Sequence, residues 1–133
     1  MENRANIGLI GLAVMGENLI LNMENKGFTV AVYNRTVEKV DRFINGRGKG
    51  KNFVGAHSIK ELVQSLERPG KVMLLVKADQ PVDDFIDRLV PYMEKGDIII
   101  DGGNSNYEDT IRRTKYVESK GLLYIGTGVS GGE

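Results

Sequence analysis

Six short apolar runs alternate with amphipathic stretches along this chain, and that alternation limits the available folds more than any other feature. The runs are "ANIGLIG", "FTVAVY", "NFVGA", "KVMLLV", "DIIID" and "LLYIG"; all but the weak third read as buried strands. Between them, "VMGENLILNMENKG" places Leu19, Ile20 and Met23 at helical spacing and stops at Gly27. "TVEKVDRFINGRG" keeps that spacing through Val37, Val40 and Ile44, with Thr36 in position to cap it. Ser58 and Glu61, three apart, form a capping box for a helix over "SIKELVQSLERPG". "QPVDDFIDRLVPYM" is helical up to an interruption before Pro91, and "NYEDTIRRTKYVESKG" runs to Gly121. Strands separated by helices, with almost continuously apolar strand cores, predict an α/β fold. The expected architecture is Rossmann-like and doubly wound: a mainly parallel sheet with helices on both faces. No linker interrupts residues 1–133, so one domain is expected.

Composition narrows the function classes. A chain of 133 residues, 41% hydrophobic, can enclose one core. Lys plus Arg equal Asp plus Glu at 18 each, which gives no reason to expect a nucleic-acid or anionic-membrane partner. Without cysteine there is no disulfide framework, Fe–S ligation or thiol nucleophile. The single histidine, His57, has no second ligand in view, so neither a metal site nor a Ser-His-Asp triad is expected. His57 itself reads as a partly exposed loop residue, and "NGRGKGK" as a mobile basic loop. No signal peptide or membrane-length apolar run is apparent, and a cytoplasmic location is the expectation.

Seventeen residues are glycine, well above the usual ~7%, and many stand where an apolar run stops. In a parallel sheet, ligands collect at the carboxyl ends of the strands. Residues 11–16, 34–36, 77–78, 102–105 and 126–132 occupy those ends, and small and polar residues recur at each of them. The first, "GLAVMGENL", matches G-x-G-x-x-G with Ala13 at the centre. Gly11 permits the tight turn, Ala13 lets backbone approach a pyrophosphate, and Gly16 lets the helix lie close to the sheet. Leu12, Val14 and Met15 complete that candidate cradle, although a tight turn without a ligand would use the same glycines. The second strand should end in an acid if the ligand were NAD, whose ribose hydroxyls an acid accepts. Asn34, Arg35 and Thr36 stand there instead. An acid would repel the 2′-phosphate of NADP, whereas a guanidinium binds it in a charge-assisted fork, so NADP is the expected cofactor.

Together these segments resemble the β-hydroxyacid dehydrogenase superfamily. "GLAVMG", "NRT", "LLVKA", "DGGNS" and "GVSGGE", in that order, resemble its 6-phosphogluconate dehydrogenase branch over essentially the whole chain. The resemblance implies oxidative decarboxylation of 6-phosphogluconate to ribulose 5-phosphate and carbon dioxide, with NADP reduced and no metal. It implies cofactor contacts from Val76, Lys77, Ala78 and Asn104 in addition to residues 11–16 and 34–36. Asn104, Ser130, Gly131 and Gly132 would hold the sugar acid. Lys77 reads equally as a solvated strand-end cation, Asn104 and Ser105 as caps for the next helix, and the last glycines as a chain end. Asp79 departs from the family's usual glycine, which bears on the local ribose contacts. The family's general-base lysine and general-acid glutamate are expected beyond Glu133, as is a helical domain that forms a homodimer. No catalytic residue is therefore expected within the chain. A dehydrogenase for a short β-hydroxyacid, or a non-catalytic nucleotide-sensing module, is the alternative.

Overall fold

A computed structural model of the chain describes residues 4–76, 80–103 and 106–126. Six strands appear in the expected order: β1 (Ile7–Ile10), β2 (Val30–Tyr33), β3 (Phe53–Gly55), β4 (Lys71–Leu74), β5 (Ile98–Asp101) and β6 (Leu123–Gly126). Between them lie α1 (Val14–Asn25), α2 (Val37–Asn45), α3 (Ile59–Gln64), α4 (Gln80–Leu89) and α5 (Tyr107–Ser119). The strands form one sheet in the order β3-β2-β1-β4-β5-β6, with every neighbouring pair parallel. The order reverses between β1 and β4, and in such sheets the crevice at that point is where ligands bind.

Alternating strand residues supply two separate cores. Ile10, Ala31, Tyr33, Val72, Leu74, Ile99 and Tyr124 join Leu62, Val63, Phe85, Ile86, Leu89 and Val117 of α3, α4 and α5. Leu9, Val30 and Val32 on the other face join Ile20, Val40 and Phe43 of α1 and α2. Helices therefore lie on both faces, as the alternation requires. On the second face the edge strand stays partly uncovered: Leu123 and Ile125 are 49% and 46% exposed.

The helix over residues 58–70 is shorter than its spacing predicts. α3 stops at Gln64, because the chain beyond it pairs with the N-terminal segment. Ala5 donates to Ser65 O, Glu67 donates to Ala5 O, and Leu66 is fully buried. Burial of Leu66 in this bridge outweighs another turn of helix. Ser58 Oγ accepts from the Glu61 amide at 3.0 Å, as the capping box predicts. The Glu61 carboxylate, however, reaches the His57 amide (2.7 Å) instead of the cap's own. His57 is exposed, and its Nε2 lies 2.7 Å from Asp41 Oδ1, a hydrogen bond that raises its pKa. Residues 45–51 are tied down more than a loose basic loop would be. Successive turn hydrogen bonds run from Gly46, Gly48, Lys49 and Lys51, and Arg47 pairs with Glu17 at 2.7 Å.

The two ends of the sheet carry different chemistry. At the amino end, buried Asp97 accepts from the amides of Gly70 and Glu94, both at 2.7 Å, and pairs with Arg68. That acid is consumed in joining β4 to β5. The carboxyl end holds the candidate ligand residues.

Candidate functional site

The turn after β1 leaves no room for side chains at its two outer glycines. Gly11 has φ +117°, and a Cβ there would lie 2.2 Å from Leu75 O, just past the end of β4. A Cβ on Gly16 would lie 2.2 Å from Gly11 O. α1 is thus seated against the turn, with its first N–H groups at the switch point, where helix termini favour anions. Ala13 holds the N-cap position without a side-chain cap, which leaves those amides without a side-chain partner from that residue. Val14 and Met15 are 74% and 48% exposed beside it. Leu12 differs from its neighbours in being buried. Its side chain belongs to the second core, and its backbone amide makes the contact that matters.

That amide donates to Asn34 Oδ1 at 2.8 Å, while Asn34 Nδ2 donates to Thr36 O at 3.1 Å. Asn34 therefore ties the turn after β1 to the turn after β2. An amide suits the task because it both accepts and donates; a carboxylate would face the Thr36 carbonyl with no proton to share. Thr36 sits at the N-cap of α2, but its side chain makes no capping hydrogen bond, contrary to the sequence expectation. The extended backbone there already supplies the Lys39 amide with the Thr36 carbonyl at 3.0 Å.

Arg35 is exposed, with its guanidinium carbon 5.6 Å from the centroid of the Phe85 ring on α4. Arg88, one helical turn further on, stands 5.5 Å from the same centroid and donates to the Tyr33 hydroxyl at 3.3 Å. Tyr33 and Phe85 meet edge to face, with centroids 6.4 Å apart. Sequence reasoning did not single out Phe85 or Arg88. Their three-residue spacing was visible, but the meeting of α4 with the end of β2 depends on the sheet order.

At the ends of β4 and β5 the chain segments again converge. Val76 packs against the first core, and a Cβ on Gly103 would lie 3.2 Å from Val76 O. Asp101 Oδ1 accepts the Gly103 amide at 3.0 Å, and Asp101 Oδ2 accepts the Tyr124 hydroxyl at 3.1 Å. Burial and the adjacent Asp101 charge push the Tyr124 phenol pKa up, so it acts as the donor. Arg113, 1% exposed, lies 3.9 Å from Asp101 and binds Asp83 on α4 through Nε at 2.8 Å. The Arg113 hydrogen bond holds the Asp83 carboxyl below the ordinary range; burial opposes this, and Arg112 at 3.1 Å adds to it. Burial likewise opposes charge on Arg113, but Asp83 more than offsets it. This network braces the segment after β5 from α4, α5 and β6.

Residues 11–16, 34–36, Val76 and Gly103 thus share the carboxyl edge. Lys77, Ala78, Asp79, Asn104, Ser130, Gly131 and Gly132 lie outside the described residues. Among the described residues, no group of three or more His, Asp or Glu side chains is placed to hold a metal ion. No described helix is long and apolar enough to cross a membrane.

Comparison with known proteins agrees with this geometry. The "6-phosphogluconate dehydrogenase, decarboxylating" of Dictyostelium discoideum is 67% identical over 132 residues, 99% of this chain and 27% of that protein. Its namesake from Aggregatibacter actinomycetemcomitans is 59% identical over 133 residues, 100% of this chain and 28% of that protein. The chain therefore spans about a quarter of the length of the curated relatives it matches. A structure of Plasmodium falciparum 6-phosphogluconate dehydrogenase superimposes with TM-score 0.81 at 45% identity, covering 90% of this chain and 26% of that one. That enzyme is described in its apo form, with its cofactor NADP+ and with its substrate 6-phosphogluconate. A family model for the NAD binding domain of 6-phosphogluconate dehydrogenase matches residues 6–133, and the chain belongs to that family.

Proposed function

We propose that residues 1–133 are the NADP-binding domain of a decarboxylating 6-phosphogluconate dehydrogenase. The enzyme oxidises 6-phosphogluconate to ribulose 5-phosphate and carbon dioxide and forms NADPH. The observation that carries this reading is the end of β2, where the residue in the acid's position is Asn34. Its amide is engaged with Leu12 and Thr36, and an exposed guanidinium follows at once. NAD-type recognition by a carboxylate has no group to perform it there; recognition of a ribose 2′-phosphate has Arg35. In support, the Plasmodium falciparum relative is described with NADP+ and 6-phosphogluconate.

The remaining roles follow from chemistry and from the family resemblance. The amides at the start of α1, with Gly11, Leu12, Ala13, Val14, Met15 and Gly16, receive the pyrophosphate, and Thr36 adds a donor beside Arg35. Val76, Lys77 and Ala78 line the way to the nicotinamide, which accepts the hydride when the cofactor is bound. Asn104 contacts cofactor and substrate, and Ser130, Gly131 and Gly132 offer hydroxyl and backbone donors to a polyol carboxylate. The reaction also needs a base for the hydroxyl proton and an acid for the enediol. We assign these to a lysine and a glutamate in the part of the relatives' length that this chain does not span. The longer protein is read as a cytoplasmic homodimer. Its partner molecule is 6-phosphogluconate, with neither nucleic acid nor membrane involved.

Calorimetric titration with NADP and NAD tests the cofactor reading. Loss of a charge-assisted contact costs about 1.5–3 kcal/mol, or roughly one to two decades of affinity. Arg35→Ala should lose that much for NADP and almost nothing for NAD. Equal losses for both would make Arg35 a support of the fold. With saturating 6-phosphogluconate the 133-residue chain should bind NADP yet form no NADPH; turnover like that of an intact dehydrogenase would refute the placement of base and acid.

A further inference from the structure

We propose that Arg88 is a second reader of the cofactor's 2′-phosphate, which Arg35 and Arg88 grip together across the Phe85 ring; this rests on the NADP reading above. Both guanidiniums lie within the ~6 Å reach of cation–π attraction to one ring. They come from distant parts of the chain, Arg35 from the end of β2 and Arg88 from the last turn of α4. Neither takes part in an ion pair among the described residues. Two like charges beside one ring repel each other, and an anion of charge near −2 between them would turn that repulsion into attraction.

The direction of the Arg88 side chain also argues for a ligand role. A cation in the last turn of a helix gains most by staying near the terminal carbonyls. Arg88 instead reaches toward the sheet's carboxyl edge, where its hydrogen bond goes to the Tyr33 hydroxyl at the end of β2. Two acids of the same helix are engaged on another side, toward α5. Asp83 binds Arg112 and Arg113, and Asp87 lines the same cleft as Tyr116 of α5. Those two acids face α5, whereas Asp84, the third of the helix, stands one turn before Arg88 on the same face as its guanidinium. Phe85 is itself buried and meets Tyr33 edge to face, so the ring that both cations approach is part of the core. Guanidinium suits this place better than ammonium, because it stacks on a ring and still presents N–H groups in its plane.

The test is titration of the wild-type chain, Arg88→Gln, Arg88→Lys and Arg35→Ala with NADP and with NAD, alongside thermal melts. Arg88→Gln should weaken NADP binding roughly fivefold or more, leave NAD binding within about twofold, and flatten the salt dependence of NADP affinity. Arg88→Lys should restore part of the NADP affinity. Wild-type affinity in Arg88→Gln, or equal losses for both cofactors, would overturn the proposal while the Arg35 result stands by itself. If the wild type does not discriminate the cofactors and Arg35→Ala changes neither, the NADP reading fails and takes this proposal with it.

Discussion

Gly16→Ala should destabilise the domain by about 3 kcal/mol and weaken NADP and NAD alike by roughly tenfold or more. One methyl group suffices because of what it would strike. The Cβ would stand 2.2 Å from Gly11 O and 3.4 Å from a Leu9 methyl, so backbone blocks it on one side and core on another. The carbonyl cannot rotate away freely, since Gly11 has φ +117° and Leu75 O stands where a Cβ on it would lie. Relief therefore requires the start of α1 to move off the sheet, and its anion-facing amides move with it. Gly8→Ala is the matched control, because the atoms nearest its Cβ would be side-chain carbons of Leu62 and Leu66 at 3.3–3.5 Å, not backbone at 2.2 Å. Ala13→Gly should be milder still, as it deletes one exposed methyl. Melting curves and titrations with both cofactors would decide the matter. A Gly16→Ala chain that melts and binds like wild type would remove the pyrophosphate assignment.

The glycine pattern was legible because its causes are local: a strand, a tight turn and a helix contiguous in sequence. The same holds for the six strands, each marked by its own apolar run, and for the capping box at Ser58. Asn34 was legible as an anomaly but not as a tie. Nothing in "NRT" announces that its amide bonds Leu12, a residue 22 positions earlier. The end of α3 was missed because residues 58–70 keep helical spacing, and only the Leu66–Ala5 pairing shows why the helix stops. Arg88 and Phe85 were hidden for a different reason. They meet β2 through a sheet order that places β1 between β2 and β4, and no local pattern encodes that order. Arg112 and Arg113 are the sharpest case: adjacent, identical residues, of which one is exposed and the other 1% exposed. Helical phase separates their directions, but only the packed α4 and β6 make one of those directions an interior.

Arg113→Met should cost about 3–5 kcal/mol, the range for removing one member of a buried ionic network, and lower the melting temperature by roughly 10–20 °C. Methionine keeps most of the volume, so the loss reports the charge. Without it, buried Asp101 retains only neutral donors among its described bonds, from Tyr124 and Gly103, and Asp83 keeps Arg112 alone of its two arginines. Asp101→Asn should be milder, since its amide oxygen can still accept one of those bonds and buried Arg113 keeps Asp83 as its ion-pair partner. The double variant should lose less than the two single losses added, which is the sign of direct coupling. Acid titration gives a second readout. The Arg113 hydrogen bond, foremost, lowers the Asp83 pKa. A carboxyl lowered in the folded state contributes stability above its unfolded pKa of about 3.9, and that contribution disappears as pH falls through the folded value. The gap between wild type and Arg113→Met should therefore narrow on acidification below about pH 4. Because Asp101 also fixes the Gly103 amide, the variant should bind NADP more weakly even well below its melting point. A variant that melts within a few degrees of wild type would show that the network does not hold the β5 segment in place.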